Sequence, residues 1–259
     1  MGAIALNPST RRAEVHRDSC VECFQCYRGM SQEHLNPTFV RTARRVLSWF
    51  RLRFEPEPDV CPTASFEPED LAWPRIIRRA FSDVTATHES TGIHGRGTEE
   101  VKTNDVTGRV GEGEAGFVVE FGRPAVGVRF KDINRMTTAL AAAGAVFEIN
   151  NPVTHLMTDR ELGSLRADIH DEKVLSAIVE FKASIDRVGD FLDLIESVAP
   201  ELDTVVALGV GAVTKGGGTN RIEDVMTERG YPVIRGKTNL GLGRVTNSKV
   251  VEAEVGATR

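Results

Sequence analysis

The sequence predicts an α+β fold in two parts: a small cysteine-bearing module toward the N-terminal end and a βαββαβ open sandwich behind it. Three observations carry this reading. All four cysteines fall within the first 61 of 259 residues, three of them inside seven positions. From Gly116 onward, runs with strand character alternate with runs of helical period in the order strand, helix, strand, strand, helix, strand. Between the two parts lies a stretch rich in Gly, Thr, Glu and Asn with no clear period. The boundaries that follow are 1–83 for the cysteine module, 84–113 for a linker or functional loop, 114–215 for the sandwich and 216–259 for a C-terminal extension.

Composition supports a folded chain. Apolar residues make up 41% and charged residues 27%, which is ordinary for a globular protein and excludes a disordered one. The formal charge of -5 hides an asymmetry: twelve arginines against ten acidic residues leave residues 1–80 at +2 and the rest at -7. Two different surfaces are implied. No run of eighteen apolar residues occurs and residues 1–12 lack the apolar core of a secretory signal, so a cytoplasmic location without a membrane partner is expected. In such a chain, clustered cysteines point to metal chemistry rather than to a disulfide framework.

The cysteines read Cys20-x2-Cys23-x2-Cys26, then a gap, then Cys61-Pro62. Two-residue spacers let one loop present three thiolates to three irons of a cube, with the fourth iron reached from elsewhere. Structural zinc prefers two separated Cys pairs, so the three-plus-one grouping favours one [4Fe-4S] cluster over zinc or free thiols. Glu14 to Ser19 before Cys20, and Cys61-Pro62-Thr63-Ala64, resemble the flanks of the ligands in bacterial ferredoxins. Residues 13–66 thus resemble a single-cluster ferredoxin-type module, with Met30 where a two-cluster ferredoxin has its further cysteine. The resemblance implies Cys20, Cys23, Cys26 and Cys61 as cofactor and metal ligands.

Residues 37–54 depart from that pattern. Val40, Ala43, Val46, Leu47, Phe50 and Phe54 recur at helical spacing among Arg41, Arg44, Arg45, Arg51 and Arg53, which predicts an inserted amphipathic helix. A cap over the cluster is the favoured role, and a basic docking face for an acidic redox partner the other. Trp73 to Phe81 predicts a helix with a proline near its first turn. Residues 76–97 resemble the segment that joins the ferredoxin module to the flavin barrel in archaeal-type, ferredoxin-linked glutamate synthases. Only about 160 residues follow, too few for that barrel, so what the resemblance implies is a subunit of a larger redox enzyme.

Lys102-Thr103-Asn104-Asp105-Val106-Thr107-Gly108-Arg109-Val110 recurs as Lys237-Thr238-Asn239-Leu240-Gly241-Leu242-Gly243-Arg244-Val245. An anion site built from Lys102, Asn104, Arg109, Lys237, Asn239 and Arg244 is one reading; a repeated structural turn is the other, and both stay open. Lys215 to Arg221 is glycine-rich without P-loop spacing and reads as a turn.

In the sandwich, strands are expected at 117–121, 145–149, 153–157, 174–181 and 204–213. Helix faces are expected from Ile133, Met136, Thr137, Leu140 and Ala141, and from Ile185, Val188, Phe191, Leu192, Ile195 and Val198. This order resembles the ferredoxin-like fold used by ACT-type ligand-sensing domains. The histidines form no triad or metal set, and no catalytic residue is assigned. No flavin or nicotinamide fingerprint is visible. The expectation is therefore an iron-sulfur electron-transfer protein or redox subunit, working with a redox partner protein or larger complex, rather than a stand-alone enzyme. The alternative is a regulatory subunit whose ACT-like domain senses a small anionic metabolite or amino acid. Nucleic acid is not an expected partner, whereas association through sheet edges, as a homo-oligomer or hetero-complex, is.

Overall fold

The computed structural model describes residues 2–11, 13–28, 37–52, 70–98, 108–124, 126–213 and 221–231. Cys61, Lys102, Asn104, Lys237, Asn239, Arg244 and the glycine run 216–218 lie outside them. The chain is a mixed helix and sheet protein, as its periodicities predict. No helix among the described residues is long and apolar enough to cross a membrane.

The chain opens with a hairpin, β1 (Ile4–Leu6) against β2 (Ala13–Val15), in antiparallel register from Ile4↔Val15 to Leu6↔Ala13. Asn7 shapes its turn by accepting from the Ser9 and Thr10 amides, an Asx turn. The cysteine loop follows, and it ends in the single turn α1 (Gln25–Arg28). Helix α2 (Pro37–Trp49) forms most of the helix expected over 37–54; Phe50 lies past its end and Phe54 outside the described residues. None of its described side chains is buried, with Phe39 59% and Trp49 75% exposed.

Helix α3 (Ile76–Ser82) starts just after Pro74. Although grouped above with residues 1–83, it buries Ile77 and Phe81 in the same apolar cluster as the sheet that follows. Phe81 meets Phe130 edge-on at 5.3 Å.

That sheet is built from β3 (Glu114–Phe121), β5 (Val146–Phe147), β9 (Ala177–Ser184) and β10 (Val206–Ala212). Helix α4 (Phe130–Ala142) follows β3, and α6 (Val188–Val198) follows β9. Strand order is β10-β3-β9-β5, antiparallel throughout. Side chains alternate faces along a strand. Ala115, Phe117, Val119 and Phe121, with Ala177, Val179 and Phe181, therefore share one apolar cluster with the buried faces of α4 and α6. Ile133, Met136, Thr137 and Leu140 are buried on α4, and Val188, Phe191, Leu192 and Ile195 on α6, as their spacing predicts. Phe117 and Phe181, directly opposite in register, stack at 4.5 Å, and Phe191 leans on both.

Short pairs complete the part around the sheet: β4 (Val128–Arg129) with β8 (Lys173–Val174), and β6 (Met157–Asp159) with β7 (Ser164–Leu165). Helix α7 (Arg221–Glu228) adds Ile222 to the core. Two expectations are corrected. The run 174–181 is not one strand: Val174 belongs to β8, Leu175 and Ser176 turn away, and β9 starts at Ala177. Residues 153–157 do not form a strand, because α5 (Pro152–His155) occupies most of that run. Asn151 accepts from the Val153 and Thr154 amides, and Pro152 sits in the first turn. Both features start a helix.

The second face of the sheet is also covered. Val118, Ile178 and Glu180 are each about 1% exposed. The loop 84–98 and α5 lie over this face: Arg96 pairs with Glu120, Thr98 donates to Glu180, and Asn151 donates to the Ile178 carbonyl. The segment 84–98 is the described start of the run 84–113 that was expected as a linker or functional loop, and it has fixed partners of its own. Asp83 caps its start by accepting from Thr85, and the Thr87–His94 bridge closes its middle. His88 is buried edge-on against Phe81 at 4.7 Å, with Nε2 3.1 Å from the Gly95 carbonyl.

Burial pushes the His88 pKa below its ordinary value, against a smaller opposing effect of the Gly95 carbonyl. The unfolded ring thus binds its proton more tightly than the folded one. Its contribution to stability is complete above the unfolded value of about 6.5 and is lost as pH falls through it toward the folded value. The urea midpoint is expected to drop between pH 7.5 and pH 5, and to drop less in His88→Asn. Gly97 (φ +74°) packs so closely that an added Cβ would lie 2.4 Å from both the His88 ring and Pro152. Gly97→Ala is expected to cost about 2 kcal/mol and to speed hydrogen exchange over 87–98 while leaving the sheet protected.

Candidate functional site

The cysteine loop leaves the hairpin at His16, whose carbonyl accepts from the Ser19 and Cys20 amides. Val21 and Phe24 are buried at 4% and 8% and anchor it. Cys20, Cys23 and Cys26 are half-buried and free of disulfides. Glu22 and Phe24 have φ of +56° and +57°, while Cys23 between them is not in the left-handed region. Left-handed backbone costs a non-glycine residue about 1–2 kcal/mol, and such strain gathers at ligand clamps. Alternation of this kind is also the backbone pattern of a nest, which turns successive N–H groups toward an anion. Here the Glu22 amide donates toward the Cys20 sulfur.

The three thiols feel one another. Burial raises the Cys26 pKa first, followed by the charges of Cys23 and Cys20. Burial also raises Cys20, with Glu22 and Cys23 adding to it and Arg75 opposing. Raised values are the opposite of what an activated nucleophile needs. A bound metal centre would bring them down, its charge overriding the local balance. Among the described residues, no group of three or more His, Cys, Asp or Glu side chains is placed to hold a metal ion.

Helix α3 holds the loop with arginines. Arg78, 4% exposed, pairs with Glu172 and lies 3.1, 3.0 and 2.8 Å from the carbonyls of Arg17, Asp18 and Cys20. One turn earlier, Arg75 grips Glu22 through Nε at 2.9 Å and also donates to the Arg17 carbonyl. Arg79 lies over the Phe24 ring at 4.6 Å. From β4, Arg129 reaches the Asp18 carboxylate at 2.8 Å.

Of the proposed anion residues, Arg109 is described. Its Nη1 lies 3.8 Å from Glu148 and 3.7 Å from Glu180. It borders a cavity of about 40 Å³ shared with Glu148, Glu180, Lys182 and Phe147. Glu180 is further held by Thr98 and Asn151.

Compared with protein-family models, with curated proteins and with solved structures, the chain matches none of them. The site is therefore read from its own residues. Glu22, Arg75 and Arg78 are parts of it that the cysteine spacing does not reveal. A signal for the arginines is present in Trp73 to Phe81, where Arg75 and Arg78 recur one turn apart on a helix of apolar character.

Arg78 makes the sharpest test of the clamp. Removing one partner of a buried pair costs about 3–5 kcal/mol because the other charge stays behind unpaired. Arg78→Ala is expected to lose stability in that range in urea titrations. Arg78→Lys should recover only part, since an ammonium lacks the guanidinium fork.

Proposed function

We propose that the chain is an iron-sulfur electron-transfer protein or the redox subunit of a larger enzyme, with one [4Fe-4S] cluster held by Cys20, Cys23, Cys26 and Cys61. The observation that carries this reading is the Cys-x2-Cys-x2-Cys run on a loop of alternating backbone hand, with an amide directed at the first sulfur. The donor set is thiol, half-buried and mutually coupled, which fits a cube better than a hydrolytic metal. When bound, the cluster would take up and release one electron at a time. The chain's own contribution is to hold three thiolates, limit solvent around them and direct backbone dipoles at sulfur.

The part behind the loop has the strand order and βαββαβ connectivity of a ferredoxin-like open sandwich, the architecture that ACT-type domains use. In this proposal it presents the cysteine module to a partner protein, with the sheet edges β5 and β10 available for association in a homo-oligomer or hetero-complex. A second reading makes the sandwich a sensing domain. The cavity of about 40 Å³ beside Arg109 has charges of both signs around it but room only for water, so an amino acid would have to open it. Protection of Arg109 to Glu114 from hydrogen exchange by an amino acid would support that reading, and no response to any of the twenty would remove it.

Anaerobic purification with iron and acid-labile sulfide analysis tests the main proposal. About four of each per chain and an EPR signal that develops on dithionite reduction are expected. Cys20→Ser and Cys61→Ser should each reduce the iron content. One zinc per chain without labile sulfide would overturn the proposal.

A further inference from the structure

The charges that surround the cysteine loop come in pairs: Asp18 with Arg129, Arg78 with Glu172, Arg79 with Asp83, and Glu22 with Arg75. The last differs from the others because its acidic member stands inside the run of cysteines, between Cys20 and Cys23. A carboxylate there is unfavourable twice over. It sits beside sulfurs that become anionic when they bind metal, and it occupies a left-handed residue. It is only 12% exposed, so water does little to screen it, and Arg75 grips it with Nε at 2.9 Å and with a second guanidinium nitrogen. Arg75 is itself fixed by the Arg17 carbonyl and by its place just before α3. Opposite charges are thus held at set positions on one side of the loop.

Resting on the cluster reading, we propose that Glu22 and Arg75 set the reduction potential of the centre held by the loop, Glu22 lowering it and Arg75 raising it. Adding one electron makes the centre one unit more negative. A fixed carboxylate then opposes reduction and a fixed guanidinium favours it. A unit charge about 10 Å away, at the effective dielectric usual for proteins, changes the one-electron equilibrium by about tenfold, which is ~59 mV.

The test uses the full chain, purified anaerobically, as wild type, Glu22→Gln, Arg75→Gln and the double variant. Iron and sulfide are counted first, and the midpoint is then read from EPR-monitored titration with dithionite. The expected midpoint rises in Glu22→Gln, falls in Arg75→Gln and returns close to wild type in the double variant. Arg75→Lys, which keeps the charge without the fork, should stay near wild type; a fall as large as that of Arg75→Gln would assign the effect to geometry and overturn the proposal. If Arg75→Gln does not load a cluster, Glu22→Gln decides alone, and an unchanged or lower midpoint sinks the idea. A wild-type chain without labile sulfide defeats the cluster reading. Loaded clusters with one common midpoint defeat only this inference.

Discussion

The buried guanidinium of Arg78 is the constraint on which the cysteine site depends. A hairpin of two three-residue strands and a loop cannot bury enough surface to hold its own shape. The loop carbonyls of Arg17, Asp18 and Cys20 bond to Arg78, which ties three points of the loop to one side chain. Arg78 reaches all three from Nη1, whose two hydrogens are shared among them, and Arg75 gives the Arg17 carbonyl a second donor. Its own position is set by Ile77 and Phe81, which are locked into the core of the sandwich. Its charge is balanced by Glu172, whose carbonyl accepts from the first amide of α4. The loop thereby takes its geometry from the packing of the sheet and its helices.

The sandwich, in turn, is organised by the double burial of its central strands. With helices on one face and the loop 84–98 with α5 on the other, β3 and β9 read as nearly continuous apolar runs rather than as alternating ones. The polar residues on the second face are therefore committed. Glu120 is held by Arg96, and Glu180 by Thr98, Asn151 and the more distant Arg109. A buried carboxylate needs such a set of donors to remain charged. Asn151 serves twice, starting α5 with its oxygen and bonding β9 with its nitrogen, so one amide joins the covering segment to the sheet.

How much of this can be read from the chain follows from the range of the forces involved. The faces of α4 and α6 were legible because helix burial repeats every three or four residues, and Ile133, Met136 and Leu140 or Phe191, Leu192 and Ile195 display that period directly. Residues 153–157 misled because a short apolar run fits either a strand or a helix; the decisive signal was the Asn151-Pro152 pair before it. The order of the loop 84–98 was not legible, since it rests on His88 against Phe81 and on Gly97 against His88 and Pro152, contacts between segments without any shared period. At the site, the cysteine spacing was visible because it is a property of the sequence itself. The left-handed turns at Glu22 and Phe24 depend on tertiary packing and left no local trace, whereas Arg75 and Arg78 stood out one turn apart without showing which loop they reach.

The pairing of charges around the loop bears on why it tolerates three thiols so close together. At Cys20 the charge of Glu22 adds to that of Cys23, and Arg75 opposes both. Arg129 pairs with Asp18 and Arg75 with Glu22, and short-range dipoles act beside these charges. The Glu22 amide is one such dipole, aimed at Cys20. Backbone amides keep their orientation when charge arrives and need no reorganisation, so they stabilise an anionic centre at little further cost. In the proposed function, the strained hand of Glu22 and Phe24 is the cost of that orientation.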